Sequence, residues 1–182
     1  MINHIDLGSV LRHSVCEVYT DLVTRPTGAA VRTQIEHQLA DSLGEAVTII
    51  DFTHVGLLDF SCADEVVAKL LLQHRASGSS IYFLLRGVSE SHLDAIEAVL
   101  ERHDLALVVQ LDDGAAVVAG PLAEGERRLW ETMYRLGHAS AAQAASAAAL
   151  EPAEAASALA DLCRRRLVMR LQDGYVTVGT RE

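Results

Sequence analysis

A serine surrounded by acidic residues is the feature of this sequence best suited to chemistry. Ser61 is followed by Cys62, Asp64 and Glu65, and Asp59 precedes it by two positions. Apolar residues recur at helical spacing after Ser61, which predicts a helix that starts at this serine. A serine with an acidic residue three positions later has the form of an N-cap with a capping-box partner. The free N–H groups of such a helix start also suit an anion or a phosphoryl group. We therefore interpret Ser61 as an N-cap and as a candidate phosphorylation site.

Other chemistries find little support in the sequence. Ser61 lacks the Gly-x-Ser-x-Gly surroundings of a hydrolase nucleophile, and no triad pattern of histidine and aspartate is present. His54, Asp59, Cys62 and Asp64 are potential metal ligands around one turn, but the second matching pair of a typical metal site is absent. No glycine-rich phosphate loop occurs. The sequence predicts no enzyme, metal or cofactor, and N-capping alone is the alternative to phosphorylation of Ser61.

A second candidate site lies in a turn that opens a predicted helix over residues 29–43. It offers an anion hydroxyl groups, free N–H groups and guanidinium groups. The residues are Thr24, Arg25, Thr27, Gly28 and Arg32. The alternative is an ordinary strand-to-helix turn with a solvated Arg25, because short turn motifs have low specificity.

Alternating strands and helices must position both sites. Residues 47–52 form an apolar, β-branched run that contains Asp51 and is typical of a strand buried on both faces. Further strands are predicted over residues 15–23, 81–85 and 105–111. Helices are predicted before Gly44, after Ser61 and after Ser89. This alternation predicts an α/β fold with helices packed against a sheet.

The composition changes at Gly120, after which alanine becomes dominant. Helices are predicted over residues 126–136, from Ser140 to about residue 149, and from Pro152 onwards. Residues 167–178 then have the pattern of a hairpin with Asp173 and Gly174 at its turn. We therefore predict two domains, residues 1–119 and residues 120–182.

The first predicted domain resembles the STAS domain, the fold of sulfate transporters and anti-sigma-factor antagonists. The resemblance rests on a strand ending in Asp51, a short loop, Asp59-Phe60-Ser61 and a helix. It implies a mixed sheet with helices, and it places Ser61 on the position that a partner kinase phosphorylates to select the binding partner. Phe60 and Cys62 replace the small hydroxyl residue and the glycine that are usual in the family. The resemblance implies a switch region that contacts the partner, formed by Asp51, Asp59, Cys62, Asp64 and Glu65.

The second predicted domain resembles a winged helix-turn-helix, a small α+β module common in bacterial regulators. The resemblance implies possible DNA contacts by Arg164, Arg165, Arg166 and Arg170. The predicted recognition helix, however, begins with Glu151 and Glu154, which would face phosphates unfavourably. We therefore favour a docking or dimerisation element over a reader of DNA.

The charge distribution separates the two predicted domains. The formal net charge of −10 lies entirely within residues 1–120, and the remaining residues are balanced. An acidic first domain is a poor partner for nucleic acid. Three widely spaced cysteines, Cys16, Cys62 and Cys163, fit a reducing cytoplasm. The N-terminus lacks the features of a signal peptide, and no apolar run is long enough for a membrane span.

The sequence therefore predicts a non-enzymatic cytoplasmic signalling regulator. Its partner would be a kinase, an anti-sigma factor or a similar regulator, bound through the STAS-like domain and switched by phosphorylation of Ser61. A homodimer is compatible with the same features. The alternative is a transcriptional regulator that senses a ligand or nucleotide through Arg25 and Thr27 and binds DNA through its winged helix.

Overall fold

A five-stranded sheet forms the centre of the protein in the computed structural model, which describes residues 2–40, 46–78 and 80–180. The strands are β1 (Ile2–Asp6), β2 (Ala46–Asp51), β3 (Ile81–Arg86), β4 (Leu107–Gln110) and β5 (Ala116–Ala119). They lie side by side in chain order, with β1 to β4 parallel and β5 antiparallel to β4. The chain is a mixed α/β protein, which confirms the predicted fold class at this level.

Helices connect the parallel strands. The connections are α1 (Leu7–Ser14) and α2 (Arg25–Ala40) before β2, and α5 (Glu90–Arg102) before β4. Between β2 and β3 the chain forms α3 (Phe60–Ala63), a π-helical segment (Asp64–Lys69) and α4 (Leu70–Ala76) without interruption. Right-handed crossovers between adjacent parallel strands place their helices on one face of the sheet. Apolar side chains of these helices and of that face accordingly share one core.

The C-terminal part is mainly helical with a small sheet. Its helices are α6 (Glu124–Leu136), α7 (Ala141–Ala147) and α8 (Pro152–Arg164). The strands β6 (His138–Ala139), β7 (Val168–Arg170) and β8 (Tyr175–Thr177) form an antiparallel sheet in the order β6-β8-β7. We call residues 124–178 the C-terminal module.

The C-terminal module packs on the second face of the central sheet. Leu84, Val108 and Val118 of the sheet share a core with Trp130 and Met133 of α6. The two faces of the sheet are thus buried by different parts of the chain. The predicted domain boundary after residue 119 stays a prediction, since a common core spans it.

One expectation for the first part of the chain is wrong. The strand expected over residues 15–23 is an irregular segment, apart from an isolated bridge between Leu22 and Leu58. The first strand is instead β1, and Asp6 then caps α1 by accepting hydrogen bonds from the N–H groups of Gly8 and Ser9. β1 and β3 occupy both edges of β2, so β-branched composition alone does not bring residues 15–23 into the sheet beside β2. The expected helix end at Gly44 lies outside the described residues.

The local signals in the C-terminal module are confirmed. Gly137 follows α6 with φ 76°, Ser140 caps α7 in a capping box with Gln143, and Pro152 opens α8. The hairpin forms around Gly174, whose C=O accepts a hydrogen bond from the Leu171 N–H. No helix among the described residues has the length and apolarity needed to cross a bilayer.

Candidate functional site

Asp59, not Ser61, caps the helix that starts the candidate site. The Asp59 Oδ1 atom accepts hydrogen bonds from the Cys62 N–H at 2.7 Å and from the Ser61 hydroxyl at 2.8 Å. The expected N-cap role of Ser61 is therefore wrong, as is its expected capping-box partner Asp64. Both Asp59 and Ser61 are good cap residues, and the chain leaves its extended conformation at Asp59 (φ −87°, ψ 164°). Ser61 is a partly exposed residue of the first helical turn.

Asp59 also joins α3 to the turn before α2. Its Oδ2 atom accepts a hydrogen bond from the Thr24 N–H at 2.9 Å, and the Cys62 thiol donates to the Thr24 C=O at 2.9 Å. Thr24 has φ 74°, a left-handed conformation that is uncommon for a β-branched residue. The two candidate sites of the sequence therefore form one corner, which we call the Ser61 corner: residues 24–28 and 59–65.

The charge states of the corner follow from these bonds. Burial raises the pKa of Asp59, but hydrogen bonds from the Thr24 and Cys62 N–H groups and the Ser61 hydroxyl outweigh it, so the pKa lies below its ordinary value. Burial, assisted by the charge of Asp59, raises the pKa of Cys62 to about 12. Cys62 is thus a neutral buried thiol and not a nucleophile.

Gly28 allows α2 to approach α3 closely. A Cβ atom at this position would lie 3.0 Å from the Cys62 Cα atom and 3.0 Å from the Glu65 Cβ atom. Gly28 thus supports packing in the corner, while its expected role in anion binding stays untested.

Gly28→Ala is expected to lower the free energy of unfolding by about 1–2 kcal/mol, because an added methyl group must push the two helices apart. The matched control is Gly125→Ala in α6, where the nearest atom is the Glu154 Oε1 atom at 3.5 Å. The control is expected to gain up to about 1 kcal/mol from helix propensity. Urea denaturation measures both, and a shift of the same sign in the two variants would contradict the packing argument.

Two buried carboxylates of the π-helical segment hold the cationic residues of α2. The Arg25 Nη1 atom lies 2.8 Å from both the Asp64 Oδ2 and the Glu65 Oε1 atoms. The Arg32 Nε atom donates to the Glu65 Oε2 atom at 3.3 Å. Asp64 and Glu65 are 6% and 2% exposed, so these ion pairs substitute for lost hydration. The guanidinium groups expected to bind an anion are already engaged by the protein itself.

Three further residues complete this charged network. Lys69 donates to the Glu65 Oε1 atom, Arg32 donates to Glu36 at 2.6 Å, and the His103 Nε2 atom lies 2.8 Å from the Asp64 Oδ1 atom. Burial raises the pKa of Glu65, but hydrogen bonds from Lys69 and Arg25 outweigh it and lower the net pKa. Burial likewise raises the pKa of Asp64, but hydrogen bonds from Arg25 and His103 outweigh it, so the pKa lies below its ordinary value. The i,i+4 spacings of Arg32 with Glu36 and of Glu65 with Lys69 were the local signals for this network.

Asp51 belongs to a separate cluster at the carboxyl ends of the parallel strands. Its Oδ2 atom accepts hydrogen bonds from the Arg86 Nε atom at 3.1 Å and the Arg86 Nη2 atom at 2.6 Å, and the His4 Nε2 atom lies 3.1 Å away. Burial raises the pKa of Asp51, but hydrogen bonds from Thr53 and Arg86 outweigh it and keep the pKa well below its usual range. Because β1, β2 and β3 pair in register here, only the sheet brings His4 and Arg86 to Asp51. Sequence reasoning missed both partners.

Apolar side chains remain exposed beside the Ser61 corner. Leu57 and Phe60 are 63% and 39% exposed, and Val18 and Tyr19 are 85% and 40% exposed. The Gly56 N–H donates to the Thr20 C=O and the Leu22 N–H donates to the Leu57 C=O, both at 2.7 Å, which holds the two segments together. Single exposed apolar residues are ordinary, but a group of them flanking a polar corner is typical of an interaction surface.

The arginines expected to contact DNA have different surroundings. Arg164 pairs with Asp161 at 2.6 Å, and Arg170 is exposed on the hairpin. Arg165 donates to the Pro121 C=O at 2.8 Å and to Asp104 at 2.9 Å, while the Arg166 guanidinium lies 5.7 Å from the Tyr82 ring centroid. Arg165 and Arg166 therefore join the module to the central sheet and its connections.

Comparison with known proteins assigns this chain to no family. No protein-family model matches this chain, and no curated protein matches it significantly. Within the described ranges, no three His, Cys, Asp or Glu side chains are grouped as a metal site requires. The geometry defines a mixed α/β protein with a charged corner flanked by exposed apolar residues.

Proposed function

We propose that this chain is a cytoplasmic, non-enzymatic signalling regulator that binds a protein partner at the Ser61 corner. The observation that carries the proposal is the exposed apolar group, Val18, Tyr19, Leu57 and Phe60, beside a partly exposed serine. Apolar and aromatic residues next to adaptable polar groups are the usual anchors of protein interfaces. The partner would be a kinase, an anti-sigma factor or a similar regulator.

The proposal includes a STAS-like first domain and a winged-helix second domain. Parallel strands joined by helices, with a helix start at the Asp59-Phe60-Ser61 segment, support the first assignment. Three helices, a short strand and a terminal hairpin in the order found for α6 to β8 support the second. The first turn of α8 exposes Glu151 and Glu154, which favours a docking role for this module over DNA binding.

Phosphorylation of Ser61 would act on the bonds of Asp59. The Ser61 hydroxyl now donates to Asp59, and a phosphoryl group would replace that donor with nearly two negative charges. Repulsion would then weaken the hold of Asp59 on Thr24 and Cys62. A modification of one side chain would in this way change the shape and charge of the proposed interface.

Site-specific photo-crosslinking in the host cells tests the partner-binding proposal. A photoreactive residue in place of Leu57 is expected to give a discrete crosslinked protein because this position lies in the proposed interface. The control position is the exposed Gln38 near the end of α2. Crosslinks of equal yield at both positions, or none at Leu57, would rule out a partner-binding surface at this position.

Phosphopeptide mass spectrometry of wild type and Ser61→Ala then tests the phosphorylation switch. An unmodified Ser61 in the crosslinked cells would rule out this switch.

A further inference from the structure

A cationic crevice lies at the opposite end of the α3–α4 helical segment from Ser61. Its enclosed cavity has a volume of about 30 Å³, and the crevice together with the open space at its mouth spans about 490 Å³. It lies between the end of α4, the starts of β3 and β4, and the end of α8. Its walls are apolar, formed by Leu71, Phe83, Leu105, Ala106, Leu107 and Leu167. The narrow space suits a flat or slender ligand.

The rim of the crevice is positive in a protein of net charge −10. Four arginines line it, namely Arg75, Arg164, Arg165 and Arg166, together with the single acidic residue Asp104. Arg165 pairs with Asp104 and lies 3.9 Å from Glu126, and Arg164 pairs with Asp161. Arg75 and Arg166 pair with none of these three carboxylates, so the four arginines exceed them by one positive charge. A local positive potential of this kind attracts anions.

His74 adds unsatisfied hydrogen-bonding groups to the crevice. Both ring nitrogens are buried, and neither has a hydrogen-bond partner among the described residues. The ring contacts Phe83 edge-on, with centroids 5.2 Å apart. Burial lowers the pKa of His74, so the imidazole is neutral and offers one donor and one acceptor. Buried polar groups are nearly always satisfied, so an unsatisfied imidazole in a crevice indicates a missing partner.

Arg166 occupies a backbone position that favours glycine. Its φ of 60° is left-handed, and the N–H groups of Arg166 and Leu167 bond the C=O groups of Cys163 and Leu162. This is the Schellman pattern of a helix end, where glycine is usual. The arginine retains the position despite its backbone strain, and its guanidinium is directed across Tyr82.

We propose that the crevice binds a compact organic anion, with its apolar part between the walls and its anionic group at Arg166, Arg75 and His74. The site is independent of the partner surface at the Ser61 corner, and each could exist without the other. A carboxylate group fits the rim and the enclosed part, and a small flat apolar body attached to it would lie along the open mouth.

Calorimetric titration of the full chain with benzoate tests this site. Inorganic phosphate is the probe for the negative charge alone, and benzamide is the probe for the apolar ring alone. Benzoate is expected to bind more tightly than either. Arg166→Gly is expected to weaken benzoate binding at least about tenfold, because a charge-assisted hydrogen bond is lost. Its fold should persist, since glycine suits the backbone.

The matched control is Ala149→Gly. Ala149 has φ 52° and ends α7 in the same hydrogen-bond pattern, but it carries no charge. This variant is expected to bind benzoate as wild type does. His74→Leu is expected to lose binding while thermal stability is kept or raised, because an unsatisfied buried group is removed. Benzoate binding that equals benzamide binding, or that survives in Arg166→Gly, would overturn the proposal.

Discussion

Glu65→Gln is expected to lower the free energy of unfolding by about 3 kcal/mol. The Glu65 carboxylate is 2% exposed and accepts hydrogen bonds from Arg25, Arg32 and Lys69. Glutamine has nearly the same volume, so no cavity adds to the effect. The loss lies at the low end for broken buried ion pairs because Arg25 and Lys69 are partly exposed and can be rehydrated.

Glu36→Gln is the matched control for this substitution. Glu36 belongs to the same network but pairs with Arg32 alone, on the partly exposed surface of α2. The expected loss is about 0.5 kcal/mol, as for other i,i+4 pairs. Chemical denaturation at pH 7 measures both variants. Equal losses would contradict a central role for Glu65.

The ionisation of Glu65 also makes the stability of the protein depend on pH. The folded-state pKa values of Glu65 and Asp64 lie below their ordinary values, so both groups stabilise the fold fully above the unfolded pKa of about 4. This contribution is lost as the pH falls through the folded-state values. Wild type is therefore expected to lose more stability between pH 6 and pH 3 than Glu65→Gln. A parallel decline would indicate that other groups dominate acid unfolding.

Trp130→Ala is expected to lower the free energy of unfolding by about 4 kcal/mol. The indole ring is 2% exposed, stacks on Tyr134 with centroids 5.3 Å apart, and donates its Nε1–H to the Leu167 C=O at 3.1 Å. It lies in the core shared by α6 and the central sheet. Trp130→Ala is therefore expected to unfold in one cooperative transition that involves the whole chain. Circular dichroism measures this transition.

Trp130→Phe separates the two parts of this effect. Phenylalanine keeps most of the apolar volume but removes the indole donor to the Leu167 C=O, which keeps its hydrogen bond from the Val178 N–H. The expected loss is therefore only about 1–2 kcal/mol. Two separate transitions in Trp130→Ala, with the sheet unaffected, would show that the C-terminal module is energetically independent.

Local signals in the sequence were enough for many elements. The β-branched run of β2, the capping serines Ser89 and Ser140, and Pro152 at the start of α8 each act within a few residues. The wrong N-cap assignment arose where two local choices were close in free energy. Asp59 and Ser61 are comparable caps, and the Thr24 N–H, 35 residues away, adds a bond that only Asp59 receives.

The sequence by itself determined the α/β class, the Ser61 segment as a helix start, and most turns and caps of the C-terminal module. Tertiary structure alone decided that Arg25 pairs with Asp64 and Glu65, and that Arg165 and Arg166 face the rest of the protein. The reason is physical: caps and turns depend on hydrogen bonds between near neighbours in the chain. Ion pairs between residues 39 or 40 positions apart depend on which helix faces meet. Burial of the whole sheet determines which faces these are.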